Sequence, residues 1–439
     1  MSRRGGHQLL PNGYRRTAML TFDAVPAALK SLTRDGWLLF LTRFTRLFAY
    51  GALSIILVFY LVGLGLTETQ TGLVLTLTLA GDIVVSLYLT TRADRIGRRR
   101  MLIIGAVLMA AAGLAFASTS NLFFLIVAGT IGVISPSGNE VGPFLSIEQA
   151  ALSHIVSAAS RTEAFAWYTL AGSLATALGA LFGGTATQAL QQASVTPVGS
   201  YRAVVFLYAG LGVLLALLFT RLSSLTEVEP VREQPTLAAG AASFLGLTRS
   251  RRVVMQLCCL FALDSFGGGF VVQSFAAYWF YLRFGAEPRT LGAIFFWANI
   301  FAGISALLAS KLAARIGLIR TMVFTHLPSN ILLILVPLMP TLSLGVFVLL
   351  VRFSISQMDV PARQSYTMAV VWPEERSAAG GFTGVARTAG AAMSPLFVGF
   401  LFARPALINA PFFIAGSLKI VYDLLLYYSF RQLRPPEEE

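Results

Sequence analysis

The sequence predicts an all-α membrane protein, with twelve transmembrane helices in two pseudo-symmetric six-helix bundles. Three observations carry that expectation. Of 439 residues, 56% are hydrophobic and 12% charged, and the mean hydropathy is +0.72. Soluble domains carry roughly a quarter charged residues. So much apolar surface cannot be covered in water, whereas in lipid the helices satisfy their own backbone and turn it to hydrocarbon. The apolar residues fall into twelve stretches, most near or above the roughly 20 residues a bilayer requires. The second half also repeats the first. Residues 149–184 lie on 364–399 at a constant offset of 215, which pairs Arg161 with Arg376. The turn Ala314-Arg315-Ile316-Gly317 echoes Asp94-Arg95-Ile96-Gly97 in the same order.

Taken in chain order, residues 1–35 hold two Arg pairs and no continuous apolar core. They read as a cytoplasmic N-terminal tail without a cleavable signal. The run 44–62 is the first real hydrophobic segment, so span 1 (36–64) doubles as the insertion signal. Spans 2 (70–91) and 3 (100–118) flank a basic turn, and spans 4 (121–153), 5 (160–190) and 6 (200–220) complete an N-terminal bundle, 36–220. Residues 221–250 form a cytoplasmic linker whose polar stretch holds Glu227, Glu229, Glu233, Pro230 and Pro235, too short for a catalytic domain. Spans 7–12 follow at 252–282, 288–312, 319–338, 341–371, 376–402 and 408–430. They give a C-terminal bundle, 251–430, and a cytoplasmic tail, 431–439. Segments longer than a minimal span imply tilt.

Charge orients the spans. Arg92, Arg95, Arg98, Arg99 and Arg100 sit between spans 2 and 3, and Lys311, Arg315 and Arg320 between 8 and 9. Arg221, Arg249, Arg251 and Arg252 lie between 6 and 7, while the turns Ser118-Thr119-Ser120 and Met339-Pro340 are uncharged. The positive-inside rule then puts both termini in the cytoplasm, a parity that an even number of spans satisfies. The net charge of +13 gathers at helix ends, not along one stripe, so it reads as topology signal and lipid contact, not nucleic-acid binding.

Other function classes leave little trace. Cys258 and Cys259 are adjacent in an apolar run and read as buried thiols, with no metal set nearby. No phosphate-binding glycine loop with lysine is present, so no nucleotide or other cofactor is expected. His154 and His326 are far apart and His7 is in the tail; no nucleophile–base set stands out, and the chain does not read as an enzyme.

The run Asp94-Arg95-Ile96-Gly97-Arg98-Arg99-Arg100 resembles the signature loop of major facilitator superfamily secondary transporters. Span 5, with Ala175, Gly179, Ala180, Gly183 and Gly184, is similar to the glycine-rich motif of the general, drug-efflux-like branch. Span 11 places Gly390, Ser394, Pro395, Val398 and Gly399 at corresponding positions. The sequence departs at Thr90-Thr91, at Ala175 and Ala180, at Ala314, and in residues 127–132, which lack the branch's arginine. The resemblance implies a substrate site between the bundles near mid-membrane, with access exchanged by rocking. It implies a gating latch in Asp94, Arg95, Gly97, Arg98 and Arg99, with a weaker copy in Arg315 and Gly317, and Arg376 beside it. Gly179, Gly183, Gly184, Gly390 and Pro395 are expected at close helix contacts.

Charges inside a membrane are costly and tend to be functional. Arg43 and Arg46 share a face of span 1, and with Tyr50, Tyr278, Asp359, Arg363 and Arg387 they are expected at the substrate cavity. Glu140 and Glu148 are eight apart on one face of span 4. A carboxylate there could exchange a proton between the two access states, with Glu140 first, then Asp264, Glu148 and Asp82. Asp359/Arg363 and Lys419/Asp423 are i,i+4 pairs and are expected to neutralise each other. Arginines favour an anionic or zwitterionic solute. The function expected is secondary active transport of a small organic solute, as proton-coupled export by alternating access. Proton-coupled uptake of an organic anion or zwitterion is the first alternative, and a non-transporting receptor or scaffold the second. The expected partners are the solute, protons and membrane lipids, with a monomer as the working unit in a cell membrane of bacterial inner-membrane type.

Overall fold

The computed structural model describes residue 29 and residues 32–140, 142–157, 161–227, 249–372 and 375–432. Most of the expected tails (1–35 and 431–439) and of the 221–250 linker, and the side chains of Asp94 and Arg161, lie outside the described residues. The described residues form helices and no strand, with α1 (Arg34–Gly63), α2 (Glu68–Ile96), α3 (Arg98–Ser118), α4 (Leu122–Ile131), α5 (Phe144–Ile155), α6 (Arg161–Gln192) and α7 (Pro197–Phe219) in the first half. The second half holds α8 (Arg251–Gly269), α9 (Gln273–Phe284), α10 (Pro288–Ile316), α11 (Leu318–Leu335), α12 (Leu342–Phe353), α13 (Asp359–Ala369), α14 (Arg376–Phe402) and α15 (Ala410–Phe430). Among the described residues ten helices are long and apolar enough to cross a membrane, and α4 and α12 add two shorter apolar ones.

Local chemistry sets the boundaries. Thr33 caps α1 by accepting from the Gly36 N–H, and Thr67 and Gln70 form a reciprocal capping box on α2. Gly97, at φ 118°, closes α2 and opens α3 in one step, and Gly317, at φ 85°, does the same between α10 and α11. Both angles lie where a side chain is strained, so these two turns need glycine.

Spans 4, 7 and 10, expected as continuous, are each split. In span 4 the described residues 132–140 and 142–143 leave the helix, where Pro136 and Pro143 lack donors and Gly138 and Gly142 take positive φ. In span 7 the run Gly267-Gly268-Gly269 precedes the break, and in span 10 a run of turns at residues 354–358 does. Backbone off the helix at membrane depth is tolerated where protein buries it.

The halves meet at one end. The Tyr278 hydroxyl donates to Glu68 at 3.2 Å, Gln188 Nε2 to Glu287 at 3.2 Å, and the Leu396 N–H to Thr76 at 2.9 Å. Nearer the middle, the two helix breaks touch: the Ser274 N–H donates to the Pro136 carbonyl at 3.2 Å, and Gln273 Nε2 to Ser54 at 2.8 Å. Toward the opposite end, which carries the turns at Gly97 and Gly317, the halves part. The face of α14 that seals against α2 at Pro395 and Gly399 continues along the helix as Thr388, Gly384 and Gly381, and the two glycines there face open space. On α2 the side chains of Val84 and Leu87 are exposed in turn. A cleft thus opens between α2 and α14 at that end.

Candidate functional site

Each half holds one buried charge cluster. In the first, α1 brings Arg46, wholly buried, between two acids of span 4. Arg46 Nη1 and Nη2 donate to the two Glu148 oxygens at 2.8 and 2.7 Å, and Nε and Nη2 reach Glu140 at 3.1–3.3 Å. Arg43 Nη1 lies 2.6 Å from Glu140 Oε1. Glu148 also accepts from the Thr42 hydroxyl at 3.0 Å and the Tyr168 hydroxyl at 2.5 Å. The rings of Tyr168 and Phe144 cover the guanidiniums of Arg43 and Arg46 at 4.4 and 4.6 Å. Two cations thus meet two anions, and the cluster is balanced. Glu140 sits in the break of span 4, with its side chain 16% exposed, while Glu148 is fully enclosed on α5.

Asp82, buried on α2, accepts from the Gly142 N–H at 2.7 Å and the Ser86 hydroxyl at 3.2 Å. It holds the same break from the other side. Tyr50 is wholly buried and stacks on Tyr208, whose hydroxyl donates to the Val133 carbonyl. Arg46 and Tyr50 are both fully enclosed, and Tyr278 sits in the seal.

The second cluster gathers residues of six helices. Asp264 on α8 accepts from Lys419 Nζ at 2.6 Å and Arg363 Nη1 at 3.0 Å. Arg363 also reaches Asp359 one turn away at 3.4 Å. The expected Lys419/Asp423 pair does not form. Residues four apart on a helix can pair, but α15 packs against α8 and α11, and each residue finds a better-placed partner there. Lys419 turns to Asp264, and Asp423 is held by His326 Nδ1 and Asn330 Nδ2, each at 2.8 Å. Arg352 and Arg387 complete the set, within electrostatic reach of Asp264 and Asp359. Three aspartates therefore face three arginines and a lysine, and Nε of Arg352, Arg363 and Arg387 is buried without a hydrogen-bond partner. Arg387 lies one turn from Gly384, beside the cleft.

Sequence reasoning missed His326 and Asn330. Their i,i+4 spacing opposite Asp423 was the available signal. It also missed Glu227, whose carboxylate accepts from the Arg98 and Arg99 N–H groups at 2.7 and 3.1 Å and so caps α3. Arg98 Nη1 reaches the Thr226 carbonyl at 3.4 Å. Arg95, Arg315 and Arg376 are exposed at the same end.

The small residues lie at backbone contacts. A Cβ on Gly179 would meet the Phe48 carbonyl at 2.1 Å, one on Gly183 the Ala52 carbonyl at 2.5 Å, and one on Gly390 the Ala262 carbonyl at 2.3 Å, each within a half. Across the halves, Gly184 would meet the Pro288 carbonyl at 2.2 Å, and the Pro395 carbonyl lies 2.4 Å from a Cβ built on Gly72. Among the described residues no three of His, Cys, Asp and Glu converge as a metal site.

Comparison with known proteins agrees with this architecture. The chain is 32% identical over 426 residues to an uncharacterized membrane protein of Saccharomyces cerevisiae, covering 91% of this chain and 95% of that one. Its fold matches a solved mutant form of the nucleoside transporter NupG, with a TM-score of 0.71 at 14% identity, covering 90% of this chain and 100% of the other. It also matches a bacterial homologue of the human lysosomal transporter Spinster, solved inward-facing and unoccupied, with a TM-score of 0.63 at 15% identity over 90% and 94%. The family model described as Major Facilitator Superfamily matches residues 39–395, so the chain belongs to that superfamily of membrane transporters.

Proposed function

We propose that the protein is a proton-coupled secondary transporter of a small organic anion, working by alternating access with the cleft between α2 and α14 as its open, cytoplasmic side. The cation surplus of the second cluster supports this reading above all. A solute carboxylate or phosphate beside Arg387 would balance the fourth cation, and guanidinium forks suit both groups. Symport is favoured over the export expected from the sequence. Lys419 and Arg363, the cations that could hold an anion, are engaged by Asp264. A proton entering this cluster releases positive charge, so proton and anion bind best together and travel together.

A second reading keeps the coupling proton on Glu140, the more accessible acid of the first cluster and the one in a helix break. Reconstitution in liposomes with a pH-sensitive dye separates these readings. Organic anions, zwitterions and cations are added in turn at equal pH on both sides. An anion that carries protons in its own direction, with the signal lost in Arg387→Met, is the expected result. Protons moving against the solute would restore export by antiport, and a cationic substrate would overturn the anion assignment. Loss of coupling with solute exchange kept in Glu140→Gln would move the proton to the first cluster.

A further inference from the structure

His326 is a buried imidazole set between two acids in the second cluster, and the sequence reading assigned it no role. Its Nδ1 lies 2.8 Å from Asp423 Oδ1, and Asn330 Nδ2 takes the other Asp423 oxygen at 2.8 Å. That fixes the ring, because the edge bearing Nδ1 is spoken for. The ring's other edge, Nε2, points at Asp264 Oδ1 from 3.8 Å, just outside hydrogen-bond length. Lys419 Nζ occupies that same oxygen at 2.6 Å. Two potential cations thus compete for one carboxylate oxygen.

The charged and titratable groups around the ring can be read from each neighbouring helix. Asp264 comes from α8, and Lys419, Tyr422 and Asp423 from α15. Asp359 and Arg363 come from α13, Arg352 from α12 and Arg387 from α14. The helix α10 carries its charges, Arg289, Lys311 and Arg315, toward its ends. The Tyr422 hydroxyl and Asn330 Oδ1 are buried there without a hydrogen-bond partner, so this polar pocket is larger than its present bonds.

We propose that His326 is the proton-carrying residue of the transport cycle: protonated on Nε2, it takes Asp264 Oδ1 from Lys419, and the freed ammonium joins Arg387 in holding the anionic solute. The step balances. One proton from the open side adds to the Nε2 lone pair, the imidazolium donates to Oδ1, and the Lys419–Asp264 bond breaks. Solute binding to Lys419 then matches the added charge, so one proton enters per negative charge placed on the ammonium. When the solute leaves, Lys419 returns to Asp264 and the proton is expelled. Asp423 and Asn330 are positioning residues that keep Nε2 aimed at Asp264. The solute half of this proposal rests on the anion reading given above; the proton half does not.

His326→Asn is the discriminating variant, because Asn can keep the bond to Asp423 while it removes Nε2. In proteoliposomes loaded with an anion found by the dye screen, His326→Asn is expected to lose pH-gradient stimulation entirely and to slow solute exchange severalfold, because Lys419 then stays on Asp264. Asp423→Asn should weaken the stimulation severalfold and leave some. Full stimulation in His326→Asn, or loss of stimulation in Glu140→Gln with His326→Asn unaffected, would overturn the proposal.

A second measurement needs no solute and no variant that must transport. The chain has three histidines, so imidazole-selective isotope labelling in nanodiscs gives few NMR signals. The signal missing from His326→Asn should respond to pH in the wild-type protein, and that response should change in Lys419→Met. An imidazole that does not titrate, or whose response ignores Lys419, sinks the proton assignment. If no organic anion is carried but the signal titrates and responds to Lys419, the substrate reading falls and the proton site stands.

Discussion

Substituting Gly184 by alanine tests whether the seal between the halves is a state-dependent contact. A Cβ at Gly184 would sit 2.2 Å from the Pro288 carbonyl oxygen and 2.9 Å from the Gly292 Cα, both on the other half. Neither is a flexible side chain, so backbone must shift. Overpacking of this kind costs about 1–3 kcal/mol. The cost falls on the conformation in which α6 and α10 touch at that end, and it disappears when they part there. At about 1.4 kcal/mol per factor of ten, the ratio of the two conformations should change by about 5- to 150-fold toward the one closed at the present cleft.

Gly179→Ala is the control. Its Cβ would meet the Phe48 carbonyl at 2.1 Å, but inside one half, so the cost is shared by both conformations. Spin labels at Thr169 and Leu307, exposed on α6 and α10 toward the open end, report the difference as a distance distribution after Cys258 and Cys259 are replaced. Gly184→Ala should shorten the label distance in a new population, and Gly179→Ala should lower thermal stability without doing so. Identical distributions in the two variants would refute the assignment of Gly184 to a contact that breaks during transport.

Glu148→Gln should lower stability in detergent by about 3–5 kcal/mol, because it leaves the enclosed Arg46 short of its main partner, whereas Tyr168→Phe should cost about 1 kcal/mol; equal melting shifts would show that the cluster is not held by this charge. Glu227→Ala should cost about 0.5–2 kcal/mol by uncapping α3. Hydrogen exchange read at the Arg98 and Arg99 amides should speed up there and not at Thr321, and unchanged exchange would remove Glu227 from the turn.

The fold was legible because its signals are large: long apolar runs, a duplicated half and a basic turn closed by Gly97. The breaks in spans 4, 7 and 10 were written in the same letters, as Gly132, Pro136, Gly142-Pro143 and Gly267-Gly268-Gly269, but apolar run length alone merged them into continuous helices. The site was legible by residue type and not by pairing. Asp264, Arg363, Glu140 and Arg46 stood out because charge inside a membrane is rare. Which charge meets which depends on helix packing, and no periodicity within one helix reports that α15 offers Lys419 to α8 and Asp423 to α11. His326 was passed over because its i,i+4 neighbour Asn330 carries no charge and the acid it meets is remote in sequence. Its partner lies 97 residues away.

The pairing of Arg46 also sets a constraint on biogenesis. Arg43 and Arg46 enter the bilayer with the first helix, while Glu140 and Glu148 are translated 94 and 102 residues after Arg46. At about 5–20 residues per second, that gap lasts roughly 5–20 s. An unpaired arginine costs about 2.5–3.5 kcal/mol at a helix centre and less toward its ends. The first helix is therefore a poor passenger in lipid until the fourth arrives, so ribosome-bound intermediates ending before Glu140 should leave it loosely seated and open to proteolysis. The membrane commits to this bundle as a unit, not helix by helix.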